Sequence, residues 1–251
     1  MAKLTGAARI ERVADEAFRL RDAKPADGVP AYCQAARLDH AFVPESARLT
    51  DFGLVVMDMD STLITIECID EIADLMGIKP QVAAVTAATM RGELDFIESI
   101  TRRVALFAGL PEDLLARVYA ERLKLSPGAE RLLETLRRNG IHTFLVSGGF
   151  TFFTDRLHSR LALDGAHANV LEIEDGKITG RILGEIVDAE GKARALREAR
   201  DRLGLKREQV LAIGDGANDL KMMAEAGASV AFRAKPVVKA QASCALDFVG
   251  L

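Results

Sequence analysis

Cysteine is scarce in this sequence, and neither sign of charge is in clear excess. The three cysteines among 251 residues are Cys33, Cys68 and Cys244. Their odd number and wide spacing argue against a disulfide framework or a zinc site and fit a reducing compartment. Lysine and arginine total 33 against 37 aspartates and glutamates, a net charge of −4. Because basic residues are not in excess, we expect no nucleic-acid partner.

Long apolar segments are also missing. Residues 1–16 lack the uncharged apolar stretch of a signal peptide. The longest stretch without charge, residues 139–154, is interrupted by polar residues and glycines, so it is no candidate membrane span. We expect a cytoplasmic protein with no membrane partner and leave its oligomeric state unknown. Hydrophobic residues at 49% and charged residues at 28% are typical of a globular fold with one large domain or one domain carrying an insertion.

Short, continuous apolar runs recur along the chain and predict strands that are buried on both faces of a parallel sheet. They cover residues 53–57, 143–146, 210–213 and 229–232. Helical segments are predicted between them, near 126–140, 192–203 and 217–226. Alternating strands and helices predict a doubly wound α/β fold.

Three regions depart from this alternation. Residues 66–127 read as consecutive helices punctuated by glycines, which predicts a helical cap inserted into a core of residues 51–65 and 128–251. Two runs around Asp175-Gly176 predict a small β-hairpin. Residues 1–50 carry a loose helical pattern at Ile10, Val13, Phe18 and Leu20, and we interpret them as an N-terminal extension of unknown role.

Acidic residues follow two of the predicted strands. Asp58 and Asp60 stand two residues apart, which would put both carboxylates on one face of an extended chain. Such close like charges repel, and a divalent cation would offset them; a solvated turn is the alternative. Asp215 and Asp219 follow the run at 210–213. Ligands bind at the carboxyl ends of strands in such sheets, and oxygen ligands favour Mg²⁺ over zinc.

Two further groups suit an anion. Ser147, Gly148 and Gly149 follow another predicted strand, where a hydroxyl and free backbone N–H groups would bind phosphate oxygens. Lys192 stands at a predicted helix start, and its ammonium would neutralise an anionic ligand. Taken singly, each group is better explained by an ordinary loop or a solvated lysine. Together with the acids they indicate phosphoryl transfer, which depends on positioning and electrostatics.

These motifs resemble the haloacid-dehalogenase superfamily of phosphatases, and within it the phosphoserine phosphatase group. The resemblance spans about residues 51–251 and rests on four motifs in order, with further similarity in the predicted cap. The four motifs are Asp58-Met59-Asp60-Ser61-Thr62, Ser147 with its glycines, Lys192, and Gly214 to Asp219. The resemblance implies hydrolysis of phosphoserine in serine biosynthesis.

The resemblance also implies roles for single residues. Asp58 would be the nucleophile that forms an aspartyl-phosphate, and Asp60 the general acid and base. Mg²⁺ would be held by the Asp58 carboxylate, the Asp60 carbonyl and Asp215. Metal-site support is implied for Asp219, and a place beside metal and substrate for Asn218. The phosphate-binding residues would be Ser147, Gly148 and Lys192.

The predicted cap would choose the small-molecule substrate. The resemblance places Glu67 near the ammonium of phosphoserine, Arg103 near its carboxylate, and Met90 and Phe96 along an apolar wall. Arg102 stands beside Arg103 and leaves the register of this match open. Two other functions also stay open: a sister phosphatase or phosphotransferase acting on another phospho-amino acid such as phosphohomoserine, and a phospho-accepting signalling domain. One methylene discriminates weakly between two phospho-amino acids, by roughly 1–3 kcal/mol.

Overall fold

A computed structural model describes all 251 residues, which form a seven-stranded sheet, a separate two-stranded sheet and eleven helices. The strands are β1 (Arg9–Ala14), β2 (Ala17–Arg21), β3 (Leu54–Met57), β4 (His142–Phe150), β5 (Gly165–Glu174), β6 (Lys177–Leu183), β7 (Val210–Gly214), β8 (Ala228–Phe232) and β9 (Cys244–Leu246). The helices are α1 (Ala2–Thr5), α2 (Gly28–Ala36), α3 (Cys68–Leu75), α4 (Lys79–Met90), α5 (Phe96–Ala105), α6 (Asp113–Arg117), α7 (Ala129–Arg138), α8 (Thr151–Leu161), α9 (Ala189–Arg202), α10 (Leu220–Ala224) and α11 (Pro236–Lys239). No helix is both long enough and apolar enough to span a bilayer.

The large sheet has the order β6-β5-β4-β3-β7-β8-β9. All neighbouring pairs are parallel except β5 and β6, which form the predicted hairpin. From β3 the chain proceeds outward to β4 and β5, and it then returns to place β7 on the other side of β3. The direction of winding therefore reverses between β3 and β7, where open α/β sheets bind their ligands. The four strands predicted from the apolar runs are confirmed as β3, β4, β7 and β8.

Strand β3 has only apolar residues, with no alternation of polar and apolar side chains, because both of its faces are buried. Val55 and Met57 belong to an apolar cluster that includes residues of α7 and α8. Leu54 and Val56 point the other way, into a second cluster with residues of α9 and α10. All four side chains are buried because helices cover both faces of the sheet. The predicted doubly wound fold is confirmed.

The segment between residues 63 and 126 is helical, as the glycine-punctuated sequence predicted, and comprises α3 to α6 and a further turn at residues 118–122; α7 then leads into β4. We call this insertion the cap. Its two ends are hydrogen-bonded neighbours: Thr65 N–H donates to Lys124 O at 2.9 Å, and Ser126 N–H donates to Leu63 O at 2.9 Å. The cap is therefore a loop that is closed at its base.

The helical pattern predicted near the N-terminus is wrong. Residues 9–21 form the antiparallel hairpin of β1 and β2, in which Ile10 lies opposite Leu20 and the chain reverses between Ala14 and Ala17. Ile10 and Phe18 are about 60% exposed, at 58% and 61%. Their spacing indicated a buried helix face, but no such face exists, and the β-branched and aromatic residues instead suit a strand pair.

Another part of the N-terminal extension contacts the core. The Asp39 carboxylate accepts hydrogen bonds from the N–H groups of Asp247, Phe248 and Val249 at 2.8–3.0 Å. The Arg37 guanidinium lies over the Phe248 ring, 5.0 Å from its centroid. These contacts attach the extension to the C-terminal end of the chain.

Candidate active site

The site lies at the carboxyl ends of β3 and β7. These strands pair in parallel register, with Met57 opposite Ile213, and Asp58 N–H donates to Ile213 O at 3.0 Å. Residues that directly follow the two strands therefore emerge side by side. This register brings Asp58 and Asp215 together, although they are far apart in sequence.

Asp58 is buried, with 5% of its surface exposed. Its Oδ1 accepts from Met59 N–H at 2.7 Å and lies 2.8 Å from Lys192 Nζ. Its Oδ2 has no hydrogen-bond partner in the protein. Burial and the charge of Asp219 raise the pKa of Asp58 well above its usual value, and Lys192 opposes that rise. One carboxylate oxygen is thus held while the other stays available for chemistry.

Lys192 lies in the first turn of α9, and its side chain is 1% exposed. Its Nζ lies 2.7 Å from Asp219 Oδ1 and 2.8 Å from Asp58 Oδ1. Burial alone would lower the pKa of Lys192, but the two carboxylates outweigh it and raise the pKa above its usual value. The ammonium therefore stays charged at neutral pH.

Asp219 organises the turn after β7. Its Oδ2 accepts from the N–H groups of Asp215 and Gly216 at 3.1 and 2.9 Å. A Cβ at Gly214 would lie 2.5 Å from the Asp219 carboxyl carbon, so only glycine allows this approach. Both Asp219 oxygens are engaged by protein donors, which fits a supporting role.

Carboxylate oxygens of Asp58, Asp215 and Asp219 all lie within 4.8 Å of one another. Asp215 Oδ1 accepts one hydrogen bond from the protein, from the Thr62 hydroxyl at 3.4 Å. Burial and the charges of Asp219 and Glu67 raise the pKa of Asp215 to about 6. One lysine does not balance three carboxylates, and a bound cation would favour their ionised forms. The all-oxygen donor set fits a hard divalent cation.

The Asp60 side chain is not part of this carboxylate cluster. The expectation of two carboxylates on one face assumed an extended chain, whereas residues 59–63 form a tight turn with Ser61 at a φ of 56°. Asp60 Oδ1 instead accepts from Cys68 N–H, at the start of α3 in the cap, at 3.1 Å. Burial and the charge of Glu67 raise the pKa of Asp60 to about 7. Its carboxyl is therefore partly protonated at neutral pH, as a general acid requires.

The Ser147 segment is part of a strand rather than a loop that follows one. Strand β4 continues to Phe150, with an irregularity in its pairing after Val146. Ser147 is fully buried, and its Oγ accepts from Gly149 N–H at 2.9 Å. A Cβ at Gly149 would lie 3.0 Å from Asp60 Oδ2 and 3.1 Å from Ser147 Oγ. The missing side chain leaves the space beside these two groups open.

Two charged cap residues lie near the carboxylates. Glu67 precedes α3 without capping it, and its Oε1 accepts from Ser61 Oγ at 2.6 Å. Arg103 is half-buried and forms no ion pair; its one hydrogen bond is a long 3.4 Å contact to Ser99 O. Burial lowers the pKa of Arg103, while the charges of Asp70 and Glu67 oppose that change. Arg102 is exposed and pairs with Glu98 at 2.5 Å. The structure thus leaves Arg103, rather than its neighbour, free to bind an anion.

Of the other residues expected to contact the substrate, Phe96 and Asn218 lie at the site, whereas Met90 does not contact it. Phe96, the first residue of α5, packs against Gly148, since its Cζ lies 3.1 Å from where a Cβ would stand there. Asn218 folds over Gly216 in the turn after β7. Met90 ends α4 with 73% of its surface exposed, and no contact joins it to the carboxylates. Its role in an apolar wall stays a prediction.

Two residues near the site carried no assigned role in the sequence. Thr62 belongs to the first motif but was given no role, and its hydroxyl donates to Asp215 Oδ1. Asn169 is a buried polar side chain of β5, and its Nδ2 donates to Gly148 O.

Comparisons with known proteins show which family the chain belongs to. A family model described as haloacid dehalogenase-like hydrolase matches residues 55–224. A phosphoserine phosphatase of Polaromonas sp. is 51% identical over 209 residues, which cover 81% of this chain and 89% of that protein. The unliganded structure of a probable phosphoserine phosphatase from Vibrio cholerae has a TM-score of 0.84 at 45% identity, covering 93% of this chain and 72% of that one.

A third match is a solved structure described as a phospho-aspartyl intermediate analogue of phosphoserine phosphatase. It has a TM-score of 0.73 at 36% identity and covers 78% of this chain and 93% of that one. The family model spans more than half of the chain, and the Polaromonas relative matches across most of both proteins. The chain therefore belongs to the haloacid dehalogenase-like hydrolases and, within them, to the phosphoserine phosphatase group.

Proposed function

We propose that the protein hydrolyses O-phospho-L-serine to L-serine and phosphate, with Mg²⁺, in the cytoplasm as the last step of serine biosynthesis. One observation carries the proposal: Asp58 is buried against Lys192 with Oδ2 unbound, beside Asp215 and beneath a cap that supplies Glu67. The names of the relatives support phosphoserine as the substrate. The three free cysteines are consistent with a reducing compartment.

The reaction proceeds in two steps on the chain's own residues. Asp58 Oδ2 attacks phosphorus while the bond from phosphorus to the seryl oxygen breaks, and Asp60 gives its proton to that oxygen. Water then attacks the phosphorus of the aspartyl-phosphate, Asp60 accepts a proton from the water, and phosphate leaves with Asp58 restored. The related structure of a phospho-aspartyl intermediate analogue supports this covalent route.

Charge around the phosphoryl group is balanced by the residues beneath it. The carboxylates of Asp58 and Asp215 and the carbonyl of Asp60 would hold Mg²⁺, with Asp219 and Asn218 in support. When bound, Mg²⁺ supplies positive charge that offsets the carboxylates and the phosphoryl oxygens. Phosphate oxygens would also be held by Lys192 Nζ, the Ser147 hydroxyl and Gly148 N–H.

The cap would recognise the serine part of the substrate. A zwitterionic amino acid needs one cation and one anion, and Arg103 and Glu67 offer them. Arg103 would bind the carboxylate and Glu67 the ammonium, with Asn218 alongside. Phe96 would form an apolar wall next to the reacting group, and its packing against Gly148 supports that role. Met90 would extend that wall.

A panel of phosphate esters with Mg²⁺ tests the substrate. We expect the highest kcat/KM for L-phosphoserine, ahead of phosphothreonine, phosphohomoserine and p-nitrophenyl phosphate. A preference for phosphohomoserine would replace the proposed substrate with the sister activity. Sustained release of many phosphates per enzyme molecule would exclude a signalling domain, which stores the acyl-phosphate instead of releasing it.

The nucleophile is tested by Asp58→Asn, since an amide cannot form the acyl-phosphate. We expect turnover below roughly 10⁻³ of wild type. Asp155→Asn is a matched control, because Asp155 is exposed on α8 and should leave turnover unchanged. Normal rates in the Asp58 variant would overturn the covalent mechanism.

A further inference from the structure

Asn169 is a buried polar side chain that joins two separate segments. It lies on β5 with 1% of its surface exposed. Its Nδ2 donates to Gly148 O at 2.8 Å, and its Oδ1 accepts from Val187 N–H at 2.8 Å. Both ends of the amide are therefore used. One contact leads to the Ser147 segment, and the other leads to the segment that precedes Lys192.

The first contact fixes the Ser147 hydroxyl. Gly148 C=O and Gly149 N–H lie on opposite edges of one planar peptide group, so fixing one edge fixes the other. Asn169 binds the carbonyl edge, and the N–H edge donates to Ser147 Oγ at 2.9 Å. A hydroxyl has one proton and two acceptor positions. With one acceptor position occupied and no protein acceptor for the proton, Ser147 is aimed as a donor.

The second contact fixes the start of α9. Val187 directly precedes Asp188, whose Oδ1 caps α9 by accepting from Gly191 N–H at 2.8 Å. Lys192 follows in the same turn, and its Nζ lies 2.8 Å from Asp58 Oδ1. Holding Val187 therefore sets the backbone from which Lys192 reaches the nucleophile. One amide thus anchors two phosphate-binding groups from different elements.

We propose that Asn169 is a positioning residue that sets the separation of Ser147 and Lys192 and thereby the affinity for phosphate oxygens. The inference rests on the proposed function, in which these two groups bind phosphate. The position requires a donor and an acceptor in one side chain. Leucine has a similar shape with neither group, and ionised aspartate has acceptors only, which would face the Gly148 carbonyl.

The test compares Asn169→Leu and Asn169→Asp with wild type and with Ser229→Ala. Ser229 is buried at the start of β8, away from the carboxyl edge of the sheet, and its hydroxyl accepts from Ser243 N–H at 3.1 Å. The control therefore removes a buried hydrogen bond that has no link to the site. Binding of inorganic phosphate with Mg²⁺ is measured by calorimetry, and unfolding by urea is measured for every variant.

We expect both Asn169 variants to weaken phosphate binding by roughly tenfold or more, while Ser229→Ala keeps wild-type affinity. Inhibition of p-nitrophenyl phosphate hydrolysis should show the same loss for phosphate and an unchanged inhibition constant for L-serine. Phosphate affinity within twofold of wild type in a folded Asn169 variant would overturn the proposal, and so would equal losses for phosphate and L-serine. If Asn169→Leu does not fold, the aspartate variant decides by the same criteria.

The two proposals fail in distinguishable ways. If wild type neither hydrolyses L-phosphoserine nor is inhibited by L-serine, the proposed substrate is wrong. The effect of Asn169 on binding of inorganic phosphate is still measured in that case. Unchanged phosphate binding beside active phosphoserine hydrolysis would instead reject only the positioning role.

Discussion

Replacing Lys192 with methionine removes the cation that contacts both Asp58 and Asp219. The lysine side chain is 1% exposed, and its Nζ lies 2.8 and 2.7 Å from the two carboxylates. Methionine fills a similar volume, so packing changes little. Removing one partner from a buried ion pair costs about 3–5 kcal/mol, since a buried charge stays uncompensated. A folded domain with about 10 kcal/mol of stability, in the middle of the usual range, survives this loss.

Urea unfolding in EDTA buffer measures the effect, because a bound cation would mask it. With a urea dependence of about 2 kcal/mol/M, the midpoint should fall by about 1.5–2.5 M. Lys79→Met is the control, since that side chain is 54% exposed and lies 3.6 Å from Asp74; it should cost under about 1 kcal/mol. Adding Mg²⁺ should stabilise the Lys192 variant more than wild type. A loss below about 1 kcal/mol in EDTA would refute the claim that Lys192 compensates the buried carboxylates.

Three further outcomes follow from the site. Arg103→Ala should lower kcat/KM for phosphoserine by roughly tenfold or more, through loss of a charged hydrogen bond, and spare p-nitrophenyl phosphate; equal losses on both esters, or the same loss in Arg102→Ala, would contradict it. With phosphoserine, kcat should fall as the pH rises through about 7, because burial and Glu67 raise the pKa of Asp60 to about 7 and the acid must carry its proton. The aryl ester has a better leaving group and should show a shallower fall, so parallel profiles would count against Asp60 as the acid. EDTA should stop turnover and Mg²⁺ restore it, as followed by phosphate release; activity that persists in EDTA would argue against the metal.

The central strands could be predicted because burial on both faces removes polar residues from them. Strand β3 is wholly apolar for this reason, and so its position could be read from the sequence. Strand β9 is short, with all three residues only partly buried, and it gave no comparable signal. The hairpin of β1 and β2 exposes Ile10 and Phe18, so their spacing reported no buried face. Patterns of hydrophobicity report burial, and they mislead where apolar residues are exposed.

The acids of the site could be predicted because they directly follow strands, and parallel pairing brings strand ends together. Side-chain direction could not be predicted. The turn at Ser61 directs the Asp60 carboxylate to Cys68 N–H of the cap, although sequence spacing suggested the face of Asp58. Asn169 was missed because its two partners are backbone groups, which carry no sequence signature.

The two hydrogen-bonded segments at the base of the cap have a consequence for how new substrate specificities evolve. The backbone N–H of Thr65 donates to Lys124 O, and that of Ser126 donates to Leu63 O, so the first and last residues of the cap lie side by side. A different helical segment spliced between those bonds would leave the path of β3 and the Asp58 carboxylate undisturbed. Recombination at this point would keep the nucleophile and offer it a new alcohol to release, provided that the new segment again supplies an N–H group to Asp60, as Cys68 does here.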